Sequence, residues 1–157
     1  MKILIVFYSR TGTTKSLGEE IVGELQCDVE EIFDTQNRKY FWGWLKSGYQ
    51  ASRRKLTTLK PINLDPGDFD LVIIGTPIWN RNVSVPTRTY LSESSSKLKK
   101  VAFFCTESSR GGERAFSEME GVCEKAPVAV LEVKRKEIKK NLYKEKLQEF
   151  IELVQEG

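Results

Sequence analysis

Ser9-Arg10-Thr11-Gly12-Thr13-Thr14 places four hydroxyls and one guanidinium around a single glycine, between an apolar run and a helical pattern. Each hydroxyl can donate to a phosphate oxygen. The backbone N–H groups that follow would point out of the positive end of a helix, where anions are stabilised. Gly12 permits the tight turn and the close backbone approach such a cradle needs. The same residue types also cap helices, and that role stays open here. Neither G-x-x-x-x-G-K-[ST] nor G-x-G-x-x-G occurs, so nucleoside triphosphate and dinucleotide loops are not indicated. Hydroxyls in place of lysines suit a phosphate monoester held without a metal.

Two further segments carry chemistry. Gly75-Thr76-Pro77-Ile78-Trp79-Asn80-Arg81-Asn82 offers an indole just past a buried strand, where it could stack on a planar ring or simply pack. Asn80 tolerates positive φ, so the adjacent peptide could turn over when a partner changes protonation. Cys105-Thr106-Glu107-Ser108-Ser109-Arg110-Gly111-Gly112 has glycines for a close wrap, and Glu107 could address the polar edge of a heterocycle. A polar turn followed by a helix cap is the alternative. Cys105 reads as a buried strand-end thiol, because no base stands ready to activate it.

The 157 residues contain no histidine, which removes histidine triads, imidazole bases and most zinc sites. No carboxylates cluster at ligand spacing with cysteine, and neither a metal site nor a catalytic residue is assigned. Apolar residues make up 39% and charged residues 30%, and the net charge is +3. Its basic residues fall in short clusters, Arg53-Arg54-Lys55, Lys97 to Lys100 and Lys134 to Lys140, which read as solvated faces and not as a nucleic-acid surface. The longest apolar runs are too short for membrane insertion. Met1-Lys2-Ile3-Leu4 leads directly into a strand pattern without a signal-peptide cleavage region, so a cytoplasmic location with reduced Cys27, Cys105 and Cys123 is expected.

The elements that must position these segments alternate. Lys2 to Tyr8, Val29 to Phe33, Asp70 to Gly75, Lys100 to Thr106 and Val128 to Val133 read as strands, most of them continuously apolar and therefore covered on both faces. Helical spacing marks Lys15 to Leu25, a helix opening at Pro86, Glu113 to Cys123, and Leu142 to Val154 with Leu142, Leu147, Phe150, Ile151 and Val154 inward. This alternation predicts a single α/β domain over residues 1–157, a doubly wound parallel sheet with helices on both faces. Asp34 to Phe69 breaks the rhythm. Tyr40, Phe41, Trp42, Trp44 and Tyr49 crowd there, which predicts a helix around Tyr40 to Leu56 and an extended piece through Lys60-Pro61.

S-R-T-G-T-T after an apolar first strand resembles the phosphate-binding signature of the flavodoxins. G-T-P-I-W-N is similar to their flavin-stacking loop, and C-T-E-S-S to the loop over the pyrimidine end of the ring. The resemblance covers most of the chain and implies a three-layer α/β/α sandwich, its five-stranded parallel sheet in the order 2-1-3-4-5 that is the general example for this fold. It implies FMN as cofactor, with Ser9, Arg10, Thr11, Gly12, Thr13 and Thr14 at the phosphate. Thr76, Pro77, Ile78, Trp79 and Asn80 would lie along the ring, and Cys105, Thr106, Glu107 and Ser108 at its pyrimidine edge.

The implied function is a low-potential electron carrier to redox partner proteins. The alternatives are an NAD(P)H-dependent flavin or quinone reductase acting on a small-molecule acceptor, and a cofactor-free scaffold. The chain departs from the family in two respects. Arg110 stands where many flavodoxins place an aromatic over the second ring face, leaving that face open or covered from Tyr40 to Tyr49. The calculated pI of about 8.7 also contrasts with the acidic family, and the Trp42/Trp44 cluster reads first as local core, with a substrate wall or a homodimer surface as the alternatives.

Overall fold

The computed structural model describes residues 1–35 and 41–157, without the side chains of residues 41–44, 48 and 52. Elements follow in the order β1 (Ile3–Phe7), α1 (Thr13–Leu25), β2 (Asp28–Glu31), α2 (Phe41–Ser52), β3 (Leu71–Trp79), β4 (Asn82–Val83), α3 (Val85–Ser94), β5 (Lys100–Glu107), α4 (Gly112–Cys123), β6 (Pro127–Lys134), α5 (Arg135–Lys140) and α6 (Lys144–Glu156).

The strands β1, β3 and β5 are apolar on both faces, which only a doubly covered parallel sheet accommodates. They pair in parallel at the centre, with Ile5 beside Ile73 and Ile73 beside Ala102. β2 and β6 pair in parallel outside them, giving the order β2-β1-β3-β5-β6. This is the expected five-stranded order with one short strand added.

Alternation along the strands divides the core into two layers. On one side Leu4, Val6, Val72, Ile74 and Phe103 pack with Tyr90 and Leu91 of α3 and Met119 of α4. On the other, Ile5, Phe7, Ile73 and Phe104 pack with Leu17 and Ile21 of α1 and Phe150, Ile151 and Val154 of α6. Among the described residues no helix is long and apolar enough to cross a membrane.

Several sequence expectations are corrected. The third strand does not end at Gly75 but runs on to Trp79 and folds back antiparallel as β4, with Ile78 opposite Val83. Helix α5 fills the stretch read only as a basic cluster. Leu142 is 66% exposed, because α6 begins two residues later, at Lys144. The second strand spans Asp28–Glu31 and stops short of Phe33; Val29 on this edge strand and Phe33 beyond it are both exposed.

The helix expected within Asp34 to Phe69 is α2. Tyr40 lies outside the described residues, as do the side chains of Phe41, Trp42 and Trp44. Beyond α2 the chain is strapped to the β2 edge: Glu30 Oε2 accepts from the backbone N–H groups of Asn63 (3.3 Å) and Leu64 (3.2 Å), and its Oε1 from Asn63 Nδ2 (3.2 Å). The strap blunts an edge that would otherwise offer unpaired backbone groups.

One buried ion pair locates α2. Arg88 Nε on α3 donates to Glu118 Oε1 on α4 at 2.6 Å, and its Nη2 pairs with the same oxygen. The guanidinium also donates to the carbonyls of Ala51 (3.4 Å) and Lys55 (3.5 Å), at the C-terminal end of α2 and just beyond it. Both side chains are almost fully buried. Removing one partner strands the other charge in the core, a loss of about 3–5 kcal/mol. Arg88→Met is therefore expected to lower folding stability by about that amount in urea titration, and Glu118→Gln by a comparable one.

Candidate functional site

The loops leaving β1, β3, β5 and β6 open on one edge of the sheet, around a cavity of about 520 Å³. Arg10, Thr11, Thr13 and Thr14 line one part of it. Gly12, at φ 92°, is the N-cap of α1 and has no side chain with which to cap it. Ser9 Oγ accepts the Gly12 N–H at 3.1 Å, so the loop closes on itself and the first turn of α1 keeps its N–H groups without an N-cap side-chain acceptor. Thr14 is buried, and its hydroxyl meets that of Thr106 at 2.7 Å, linking the start of α1 to the end of β5.

Arg10 and Arg135 both border the cavity. Burial holds the Arg10 guanidinium below its usual pKa, against an upward influence from Tyr8 and with a smaller downward one from Arg135. Arg10 Nε is buried with no hydrogen-bond partner among the described residues. Two guanidiniums and the N-terminus of α1, which has no side-chain cap, put positive charge on this side of the cavity.

The rest of the cavity is a slot. Pro77, Ile78, Trp79, Asn80 and Arg81 form one side, and Thr106 to Arg110 another. Leu45 and Tyr49 of α2 stand over the opening, both well exposed. The side chains of Arg53 and Lys55 each lie 5.7 Å from the centre of the Tyr49 ring, within cation–π range. Trp79 is only 6% exposed and packs edge-on against Tyr8, with ring centroids 5.4 Å apart at 88°. It is thus a buried strand-end residue that borders the slot, not a freely presented stacking ring.

Glu107 ends β5 against the slot. Both its carboxyl oxygens are buried. Burial, followed by contact with the Glu132 carboxyl, pushes its pKa up to about 7, while Lys134 and the Gly112 backbone N–H draw it down.

Four of the expected residues do not line the cavity. Ser9 and Gly12 shape the loop from behind. Thr76 Oγ1 accepts the Ser84 N–H and bonds the Ser84 hydroxyl, both at 3.1 Å, which serves the β3–β4 reversal and not the slot. Cys105 lies one layer down in the core, and burial raises its thiol pKa well above the ordinary value. Sequence reasoning had not placed Leu45 or Arg135 at this edge. For Arg135 a signal existed, since it immediately follows the fifth strand and every parallel strand delivers its successor to the same edge.

The β3–β4 turn and the β5–α4 loop are locked together. Asn80 and Arg81 both have positive φ, 48° and 63°, so Asn80 adopts the conformation its residue type allows. Gly111, at φ 135°, presses on this turn: a Cβ there would lie 2.8 Å from Arg81 Cα.

The chain has the flavodoxin-like fold. A flavoprotein from Lactobacillus acidophilus NCFM, solved in complex with FMN, superimposes with a TM-score of 0.74 at 23% identity, covering 88% of this chain and 97% of its own. The two-electron reduced flavodoxin of Megasphaera elsdenii gives a TM-score of 0.55 at 20% identity over 83% and 85% of the two chains. Oxidised Flavodoxin 1 from Bacillus cereus gives 0.54 at 17% over 99% and 98%. No protein-family model matches the sequence, and no curated protein does.

Gly111→Ala is expected to separate the two loops through strain at positive φ and the clash with Arg81. A loss of about 1–3 kcal/mol should appear as a lowered thermal midpoint.

Proposed function

We propose that this chain binds FMN non-covalently and works as a redox protein. One observation carries the reading: an anion cradle and a slot walled by Pro77, Ile78 and Tyr49 open into the same cavity. Its volume lies within the range of about 300–1,000 Å³ usual for small-molecule sites. The buried Arg10 Nε, unpartnered among the described residues, and the buried Glu107 carboxyl fit a ligand with an anionic end and a polar heterocyclic end. Arg10, Thr11, Thr13, Arg135 and the N–H groups of α1 would hold the phosphate. Pro77, Ile78, the rim of Trp79, and Tyr49 would flank the ring, with Asn80, Thr106, Glu107 and Ser108 at its polar margins. FMN, once bound, supplies one- or two-electron chemistry, and the protein orients it and sets its electrostatic surroundings.

The function favoured is electron transfer to redox partner proteins. Arg81 and Arg110 border the slot and stabilise negative charge on a reduced ring by Coulomb attraction. They place the potential above that of an acidic flavodoxin site. The same arginines favour a second reading, an FMN-dependent NAD(P)H oxidoreductase, because they offer a place for an anionic co-substrate beside the ring.

Purified protein titrated with FMN should develop a bound-flavin absorbance spectrum, and its absence would reject the FMN reading in favour of a cofactor-free scaffold. Arg10→Ala should weaken FMN about tenfold while leaving riboflavin, which lacks the phosphate, little changed. Arg110→Gln should make the potential of bound FMN more negative in spectroelectrochemical titration. Anaerobic stopped-flow mixing with NADPH separates the two functions: slow reduction identifies a carrier, rapid reduction a reductase.

A further inference from the structure

Six cations gather at the edge of the sheet that holds the cavity. Arg10, Arg81, Arg110 and Arg135 line it, and Arg53 and Lys55 flank the Tyr49 ring beside its opening. Glu107 is the one carboxylate lining it among the described residues, and that side chain is buried. The ion pairs found among the described residues, from Lys15–Glu31 to Lys146–Glu137, include none of the six cations. The whole chain holds 25 Lys and Arg against 22 Asp and Glu. With the six set apart, the remaining side chains carry slightly more acid than base, so the basic excess belongs to this edge.

Apolar surface accompanies the charge. Leu45 and Tyr49, one helical turn apart on α2, are 43% and 57% exposed at the same opening. An apolar centre inside a charged rim is the anatomy of a protein interface, and Tyr and Arg are enriched in such surfaces. A phosphate monoester held by Arg10 and Arg135 would offset those two cations. Arg53, Lys55, Arg81 and Arg110, all exposed, are then left to meet a partner.

We propose that this edge is a docking surface for an acidic redox protein, whose carboxylates pair with Arg53, Lys55, Arg81 and Arg110 while apolar groups cover Leu45 and Tyr49. Three of the four cations are arginines, whose planar forks match carboxylates in a bidentate manner. Attraction between the basic edge and a negative surface steers the encounter and turns the cavity toward the partner, which makes association fast and salt-sensitive. Like charge at the same edge disfavours a basic partner. The inference rests on the FMN reading for the passage of an electron, but not for the docking itself.

The test has two arms. In the first, protein saturated with FMN is mixed anaerobically in a stopped-flow instrument with pre-reduced plant-type [2Fe–2S] ferredoxin, an acidic donor. One electron passes from the iron–sulfur centre, which is oxidised, to the flavin, which is reduced. The bimolecular rate constant should fall about tenfold between about 50 and about 500 mM NaCl. Arg53→Glu/Lys55→Glu should lower it about tenfold at low salt and flatten its salt dependence. Lys99→Glu/Lys100→Glu, at the opposite end of β5, changes the net charge equally and should cost less than about threefold. Circular dichroism confirms the fold of each variant. A rate that does not fall with salt, or an equal loss in the two double variants, overturns the proposal.

The second arm needs no flavin. Binding of FMN-free protein to dye-labelled oxidised ferredoxin is read by fluorescence anisotropy at low salt. Saturable binding that weakens about tenfold in Arg53→Glu/Lys55→Glu, but not in Lys99→Glu/Lys100→Glu, supports the docking surface. Absence of binding overturns it, as does tighter binding to a DNA duplex or to vesicles of mixed phosphatidylcholine and phosphatidylglycerol in the same buffer. Failure of the wild type to take up FMN rejects the FMN reading alone, and this arm still decides the docking surface.

Discussion

Parallel pairing of β1, β3 and β5 is the constraint from which the rest follows. Because the three strands run the same way, their successors all emerge at one edge, and register decides which residues meet there. Phe7 lies beside Gly75, and Pro77 beside Thr106. Three segments far apart in sequence thus converge on a single cavity. Hydrophobic burial on both faces of the sheet holds that register, since a slip of one residue would exchange the two core layers. The polar groups at the edge can then remain unpaired, because their positions are set by the apolar residues below them.

Much of this was legible from the sequence because apolar runs and helical spacing are strong signals. The five main strands, α1, α3, α4, the buried face of α6, and a helix in the aromatic insertion could all be read that way. The β3–β4 reversal could not, because Asn80-Arg81 turns with positive φ without the glycine that usually announces such a turn. Helix α5 went unread because Arg-Lys-Glu-Ile-Lys-Lys has no apolar face, and its Glu137 side chain ties the N-terminus by accepting the Lys134 N–H.

Within the candidate site, residue type pointed to the right loops but not to each side chain's orientation. Thr76 and Thr106 look equivalent in sequence, yet one hydroxyl is committed to Ser84 and the other to Thr14 across the cavity floor. Trp79 reads as a stacking residue, but Tyr8 receives it in the core. Tyr49 carries the more exposed ring, delivered by a helix whose position depends on Arg88 and Glu118. Those two residues sit in unremarkable polar stretches, and only the tertiary structure brings them together.

The hydroxyl contact between Thr14 and Thr106 also makes the cavity a ruler. It fixes the anion cradle relative to the end of β5, so the span between the two is set by the fold before any ligand arrives. A ligand with a rigid head and an anionic tail can occupy both ends only if its spacer has the matching length. Two weak attachments then act as one, because seating either end raises the local concentration of the other. Shortening or lengthening that spacer forfeits the gain even when each end keeps its own partners.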